Sequence, residues 1–121
     1  MTAPRSVLDY LQDILYAIEK IEQFTAEMSY EQFAADEKTH FAVIRALEIM
    51  GEAAKQLPDD VKQRYPAVSW RSMMGMRDKM IHGYFSVILS VVWQTIEHDI
   101  PPLKPLLTTA LAAEVKREQA T

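Results

Sequence analysis

The sequence predicts an all-α protein, a single up-and-down helical bundle covering residues 1–121. Ala, Leu, Glu, Lys, Gln and Met, which favour helices, are abundant, and the chain has only 3 glycines. Apolar residues recur at helical spacing in successive segments. Prolines and residues that can cap helices separate those segments, with no internal repeat or domain linker. These three observations predict one bundle with short connections.

The first helix is predicted to begin after Pro4, with Ser6 as its cap, and to end within residues 24–28. Acidic and basic residues supply its solvent face, and nothing in it requires chemistry. Its apolar positions have the spacing of an amphipathic helix: Val7, Leu8, Leu11, Ile14, Leu15, Ile18 and Ile21.

The next two helices are predicted from their caps. Ser29 and Gln32 have the spacing of a capping box, which indicates a short helix. Asp36 can cap a longer helix over residues 37–57, in which Gly51 predicts a close approach by another helix. One side of this helix is predicted to carry Phe41, Ile44, Leu47, Glu48, Gly51 and Ala54.

Prolines and caps also delimit the rest of the chain. Pro58 ends the long helix and precedes a short one, and Ser69 can cap a helix that begins at Trp70. A helix over residues 88–98 is expected after a turn, and the last helix over residues 103–117, after two prolines that bend the chain. In the first of these two, the inward side chains are predicted to be Ile88, Val91, Val92, Thr95 and Ile96.

The segment MRDKMIHGY, residues 76–84, carries the side chains whose chemistry points to a function. Arg77 lies within an apolar stripe, where an aliphatic residue is expected. Arg77 and Tyr84 lie ~20° apart on an ideal helix, and Asp78 lies one helical turn before His82. Arg77 and His82 are ~140° apart. They can meet on one ligand if the arginine reaches round, if the helix distorts, or if a second chain in a homodimer supplies one of them.

A purely structural interpretation of the same residues also fits, and spacing alone favours it. A histidine before a glycine is a common helix ending, because the imidazolium suits the negative end of the helix. Asp78 can pair with His82 or Lys79, and Arg77 can extend its charged end into water. Tyr84 can be a half-buried residue that caps the helix.

The pattern R-x-x-x-x-H-x-Y, matched by Arg77, His82 and Tyr84 with the polar Asp78 after the arginine, resembles the signature of the HEPN superfamily. It is similar in particular to that of the HepT-type toxins, which are metal-independent ribonucleases. The flanking segments extend the resemblance over nearly the whole chain: GEAAK at residues 51–55, Pro66, Trp70-Arg71, Val92-Trp93 and Thr95. The sequence departs from the family at Ile88, where an Asp that caps the following helix is usual.

The resemblance implies a HEPN-like helical domain that acts as an endoribonuclease, the toxin of a toxin–antitoxin pair. It assigns catalysis to Arg77 and His82, with Asp78 in support, and expects an RNA substrate but no metal or cofactor. It also implies an antitoxin, a nucleotidyltransferase of the MntA type, that neutralises the toxin by attaching AMP to Tyr84.

Metal-free cleavage of RNA requires three events at one phosphate. The 2′-hydroxyl must lose a proton, the charge on phosphorus must be offset, and the departing 5′-oxygen must gain a proton. His82 can act as base or acid near neutral pH, while Arg77 can bind the phosphate. Asp78 can orient His82. The expected products are a 2′,3′-cyclic phosphate and a 5′-hydroxyl.

Composition and charge exclude several other classes of protein. With no Cys, disulfide and thiolate chemistry is excluded, and no apolar run is long enough for a membrane span. The first ten residues lack a signal-peptide core, so we expect a cytoplasmic protein. A net charge of -4 argues against a protein that coats nucleic acid by bulk attraction. It leaves room for a local basic surface, for which the candidates are Arg71, Arg77, Lys79, Lys55, Lys62 and Arg64.

Two other classes stay open. The chain can be a catalytically silent HEPN-like module for protein interaction, with Arg77 and Asp78 in an ion pair, or it can bind a nucleotide at the motif without cleaving RNA. A zinc site is not indicated, because His40, His82 and His98 lack metal-ligand spacing. The sequence assigns no catalytic role to Glu52 or Lys55, although both lie in a matched segment.

Overall fold

A computed structural model describes residues 4–81 and 88–120, apart from the side chains of residues 79–81. Within those ranges all of the regular structure is helical, which confirms the predicted all-α class for them. The helices are α1 (Val7–Thr25), α2 (Tyr30–Ala35), α3 (Glu37–Gln56), α4 (Asp59–Arg64), α5 (Trp70–Ile81), α6 (Leu89–Gln94) and α7 (Ile100–Gln119), with a π-helical segment, Thr95–Asp99, between the last two.

Helix α3 organises the bundle. It packs along both α1 and α5, and α7 in turn packs against α1. The core between these helices is fully apolar at its centre and includes Leu11, Ile14, Ile18, Leu47, Met50, Met73 and Leu107, each 0% exposed. Burial of this kind stabilises helices far more than their intrinsic propensity does.

The predicted caps of the first three helices are confirmed. The Ser6 hydroxyl accepts a hydrogen bond from the backbone N–H of Asp9, whose carboxylate accepts one from the Ser6 N–H at 2.9 Å. Ser29 and Gln32 form the predicted reciprocal capping box at the start of α2. Asp36 accepts from a backbone N–H in the first turn of α3 at 3.1 Å. Each cap satisfies helix N–H groups that have no partner within the helix.

The predicted start of the last helix is wrong. Helix α7 begins at Ile100, three residues before the predicted Leu103, and Pro101 and Pro102 lie in its first turn. Prolines fit there because the first N–H groups of a helix need no partner within it. They cannot donate to the carbonyl groups four residues earlier, however. The π-helical segment lies at this junction, where the Ile100 N–H donates to the Thr95 carbonyl, five residues back.

Two side chains predicted to face inwards, Ile88 and Val91, are exposed instead, and so is Phe41 on α3. Phe41 is 48% exposed, Ile88 63% and Val91 50%. In α3 the buried stripe is centred on positions such as 40, 43, 47 and 50, which leaves Phe41 at its edge. Ile88 precedes the first turn of α6, and Val91 lies ~100° round that helix from its buried neighbour Val92.

Candidate active site

Gly51 sets the distance between α3 and α5. It is buried, and a Cβ atom added to it would overlap the Cβ of Arg77 and lie 2.9 Å from both the Arg77 nitrogen and the Met73 carbonyl oxygen. Real Cβ atoms do not approach other heavy atoms so closely. The two backbones therefore pack together at the position of the motif arginine, as the mid-helix glycine predicted.

Helix α5 is fixed at its first turn as well. It begins at Trp70, as predicted, and the Trp70 indole N–H is shared between the carbonyl oxygens of Lys62 and Tyr65, each at 3.1 Å. Met73, one turn later, is fully buried. Arg77 follows one more turn along, so a buried residue and a glycine contact determine where its backbone lies.

Arg77 and Asp78 meet Lys55 at the end of α3. The Lys55 ammonium donates to the Asp78 Oδ1 at 2.6 Å, and Arg77 Nη1 lies 3.4 Å from the same oxygen. The side chains of Lys55 and Arg77 are 34% and 35% exposed, and that of Asp78 is 52% exposed. The hydrogen bond from Lys55, reinforced by Arg77, lowers the pKa of Asp78 below its usual value. Asp78 is therefore held as a carboxylate between two cations.

His82 and Tyr84 lie outside the described residues. Their predicted roles, and the predicted contact of Asp78 with His82, thus stay predictions. The side chain of Lys79 is also not described, so its pairing with Asp78 is untested. Of the predicted site residues, the structure places Arg77 and Asp78, and it brings them together with Lys55.

A cleft of about 400 Å³ opens beside Arg77, between α1 and α3. Arg77 and Lys55 contribute to one part of its lining, together with Gln56. Tyr10 and Asp13 contribute from α1. The sequence offered no signal for the two α1 residues, because their position at the cleft depends on how α1 packs against α3.

The basic residues proposed for a common surface separate into different environments. Lys62 turns towards the protein, where its side chain is 15% exposed and its ammonium donates to the Ala54 carbonyl at 3.3 Å. Arg64 donates to the buried carboxylate of Glu114 at 2.8 and 3.1 Å. Of Lys55, Lys62 and Arg64, it is Lys55 that reaches the motif, through its contact with Asp78. A spacing of four residues from Gly51 was the signal that could have identified it, because both then share one face of α3.

Within residues 4–81 and 88–120, no group of three or more His, Cys, Asp or Glu side chains is placed to hold a metal ion. Over the same part of the chain, none of the helices has the length and apolar character needed to cross a membrane.

Comparison with known proteins identifies the class to which this fold and motif belong. The family model described as "Ribonuclease HepT-like" matches residues 14–110. The chain is 57% identical over 100 residues to the "Probable ribonuclease HepT" of Thermococcus cleftensis, covering 83% of this chain and 91% of that protein. It is 42% identical to a protein of Methanocaldococcus jannaschii whose name assigns it as a putative RNase, covering 83% and 86% of the two chains.

A third relative, from Caldanaerobacter subterraneus and also named as an RNase, is 37% identical over 94% of this chain and 99% of its own length. No solved structure matches the chain. The chain belongs to the HepT-like ribonuclease family, and the resemblance inferred from the motif is confirmed.

Proposed function

We propose that this protein is a metal-independent endoribonuclease and the toxin of a toxin–antitoxin pair. Membership of the HepT-like family and the names of three relatives support ribonuclease activity. The single observation that carries the assignment of the site is the cluster of Lys55, Asp78 and Arg77, of which Lys55 and Arg77 line a cleft. A partly exposed arginine held in place by packing and by an ion pair can receive a phosphate group without first having to be ordered.

In the proposed reaction the 2′-oxygen attacks the adjacent phosphorus, and the bond from phosphorus to the 5′-oxygen breaks. His82 moves a proton, as the base that takes it from the 2′-hydroxyl or as the acid that gives one to the 5′-oxygen. Arg77 binds the phosphate oxygens, where its planar donors offset the charge that develops. Asp78 favours the protonated form of His82. The products are a 2′,3′-cyclic phosphate and a 5′-hydroxyl.

We propose that the working unit is a homodimer. One chain offers a single motif histidine, whereas the reaction needs a base and an acid, so two chains can supply one each.

The ribonuclease assignment is tested by incubating the purified protein, freed from any partner, with RNA in EDTA. We expect cleavage with cyclic-phosphate ends, and losses of at least ~10²-fold in both His82→Ala and Arg77→Ala. His98→Ala and Arg117→Ala are matched controls, since both residues are exposed and lie outside the motif. Full activity in His82→Ala would remove this residue from the mechanism.

A catalytically silent interaction module is the alternative favoured by a specific observation. Asp78 already neutralises part of the charge of Arg77 and Lys55 within the chain, as a structural ion pair does. The alternative expects no cleavage by the wild type in the same assay. It also expects that Arg77→Ala lowers the free energy of unfolding without any effect on RNA.

We further propose control by a nucleotidyltransferase antitoxin that attaches AMP to Tyr84. A phosphate next to Arg77 would occupy the donors that otherwise bind the RNA backbone, and the added nucleotide would obstruct the site. Tyr84→Phe should keep ribonuclease activity and escape neutralisation by the transferase with ATP. Tyr16→Phe, at a tyrosine that is 61% exposed, is the matched control. Mass spectrometry of a fully inhibited pair that finds Tyr84 unmodified would refute this mode of control.

A further inference from the structure

Two cations from different helices converge on one carboxylate oxygen. Lys55 lies on α3, one helical turn beyond Gly51, and its ammonium reaches the Asp78 Oδ1 at 2.6 Å across 23 positions of sequence. Arg77 Nη1 approaches the same oxygen at 3.4 Å. An oxygen shared by an ammonium and a guanidinium occupies the kind of position that a phosphate oxygen takes between two basic residues.

Both cations of the cleft lining, Lys55 and Arg77, lie at this end of the cleft. Lys55, Arg77 and Asp78 together carry a formal charge of +1, counting two cations and one carboxylate. The two carboxylates of the cleft lining, Asp13 and Glu52, are each near an arginine from outside it. Asp13 forms an ion pair with Arg5, and Glu52 lies 3.9 Å from Arg45. An anion approaching this cleft is therefore attracted towards Lys55 and Arg77.

The three side chains also differ in how firmly they are placed. The Arg77 backbone is fixed by its contact with Gly51, and Lys55 shares the face of α3 that carries this glycine. Asp78 is the most exposed of the three, with 52% of its side chain accessible. The carboxylate can consequently rotate into solvent while both cations stay beside the cleft.

We propose that Lys55 is a second phosphate-binding residue of this site, held in position by Asp78 until an RNA phosphate replaces the carboxylate. The inference rests on the proposed ribonuclease function and adds a residue to it. An RNA phosphodiester carries one negative charge, as the carboxylate does, so the exchange leaves the charge between the two cations unchanged.

The test measures RNA binding as a function of salt. A fluorescently labelled single-stranded RNA is titrated with the protein in EDTA. Every protein tested also carries His82→Ala, which prevents cleavage of the RNA. The slope of log affinity against log salt should become shallower by about 0.7 for each lysine–phosphate contact that is lost. Lys55→Met should show this reduction, and Lys55→Arg should restore the slope.

Lys104→Met is the matched control. Lys104 forms an ion pair of the same kind, at 2.8 Å from Glu22, and its side chain is 43% exposed. It joins α7 to α1 and is not among the residues that line the cleft. We expect its removal to leave the salt slope unchanged. Equal slopes in Lys55→Met and Lys104→Met would overturn the proposal.

Asp78→Asn separates binding from positioning. If Lys55 binds phosphate, removing the competing carboxylate should keep the salt slope and tighten RNA binding. If Lys55 serves only to hold Asp78, then Asp78→Asn and Lys55→Met should weaken binding equally, and the double variant should add nothing, which would refute the proposal. Failure of the ribonuclease assignment is distinguishable, because the wild type would then neither bind nor cleave RNA in an Arg77-dependent manner.

Discussion

Replacing Gly51 by alanine tests whether close packing of α3 against α5 positions the motif arginine. The new methyl group would lie 2.9 Å from the Arg77 nitrogen and from the Met73 carbonyl oxygen, and closer still to the Arg77 Cβ. Because two of these atoms belong to the backbone of α5, no side-chain rotation relieves the overlap. The helix that carries Arg77 has to move.

The size of the effect follows from these contacts. Non-bonded heavy atoms settle at about 3.5–4.0 Å, so α5 must shift by at least about 0.5 Å. Overpacking of this kind costs roughly 1–3 kcal/mol, and the better helix propensity of alanine returns about 1 kcal/mol. The net loss in free energy of unfolding is therefore about 0–2 kcal/mol. A displacement approaching 1 Å in a catalytic group can cost ~10²-fold in rate, so we expect activity to fall roughly 10- to 100-fold.

Cleavage of a labelled RNA and thermal unfolding, measured on the same preparation, provide the assay. Gly75→Ala is the matched control, since Gly75 lies in the same helix α5 and a Cβ there meets nothing within 4 Å. That variant should keep full activity and gain up to about 1 kcal/mol of stability. If Gly51→Ala behaved like Gly75→Ala in both measurements, the close approach would have no role in positioning Arg77.

Two further sites lead to predictions about stability. Burial alone would raise the pKa of Glu114, but hydrogen bonds from Arg64 and Tyr65 outweigh it and hold this pKa below the usual value. Glu114→Gln should therefore cost about 1–2 kcal/mol near neutral pH and lower the melting temperature by roughly 5 °C, and an unchanged melting temperature would contradict the structure. The lowered pKa of Glu114 stabilises the fold at pH values above the ordinary carboxyl pKa of 4.5, and this stabilisation is lost as the pH falls through the pKa of Glu114 in the folded protein. The free energies of unfolding of the wild type and of Glu114→Gln should therefore converge in acid. At the start of α6, Ile88 has extended backbone angles and makes no side-chain cap. Ile88→Asp should therefore raise the free energy of unfolding by about 1 kcal/mol, because the carboxylate can accept from the first N–H groups of the helix. Equal melting temperatures for Ile88→Asp and Ile88→Ala would rule out a capping effect.

The helices were predictable because short-range interactions determine them. Ser6, Ser29 and Asp36 each cap a helix through a group three residues away, so their pattern is visible in the sequence. The tight packing at Gly51 was predictable for a related reason, since a glycine within a helix is costly unless another backbone needs the space. The motif together with its flanking segments was sufficient to indicate the ribonuclease family.

Interactions between distant residues could not be predicted in the same way. Lys55 is separated from Asp78 by 23 positions, and Arg64 from Glu114 by 50, so their pairing depends on how the helices pack. The sequence offered Arg64 as a candidate for a basic surface beside the motif, whereas packing directs it to Glu114 on α7. The exposure of Ile88 and Val91 was mispredicted because helical spacing indicates which residues share a face but not which face the bundle covers. The sequence by itself determined the all-α class, the caps of the first three helices and the motif, whereas tertiary packing decided which charges meet at Arg77.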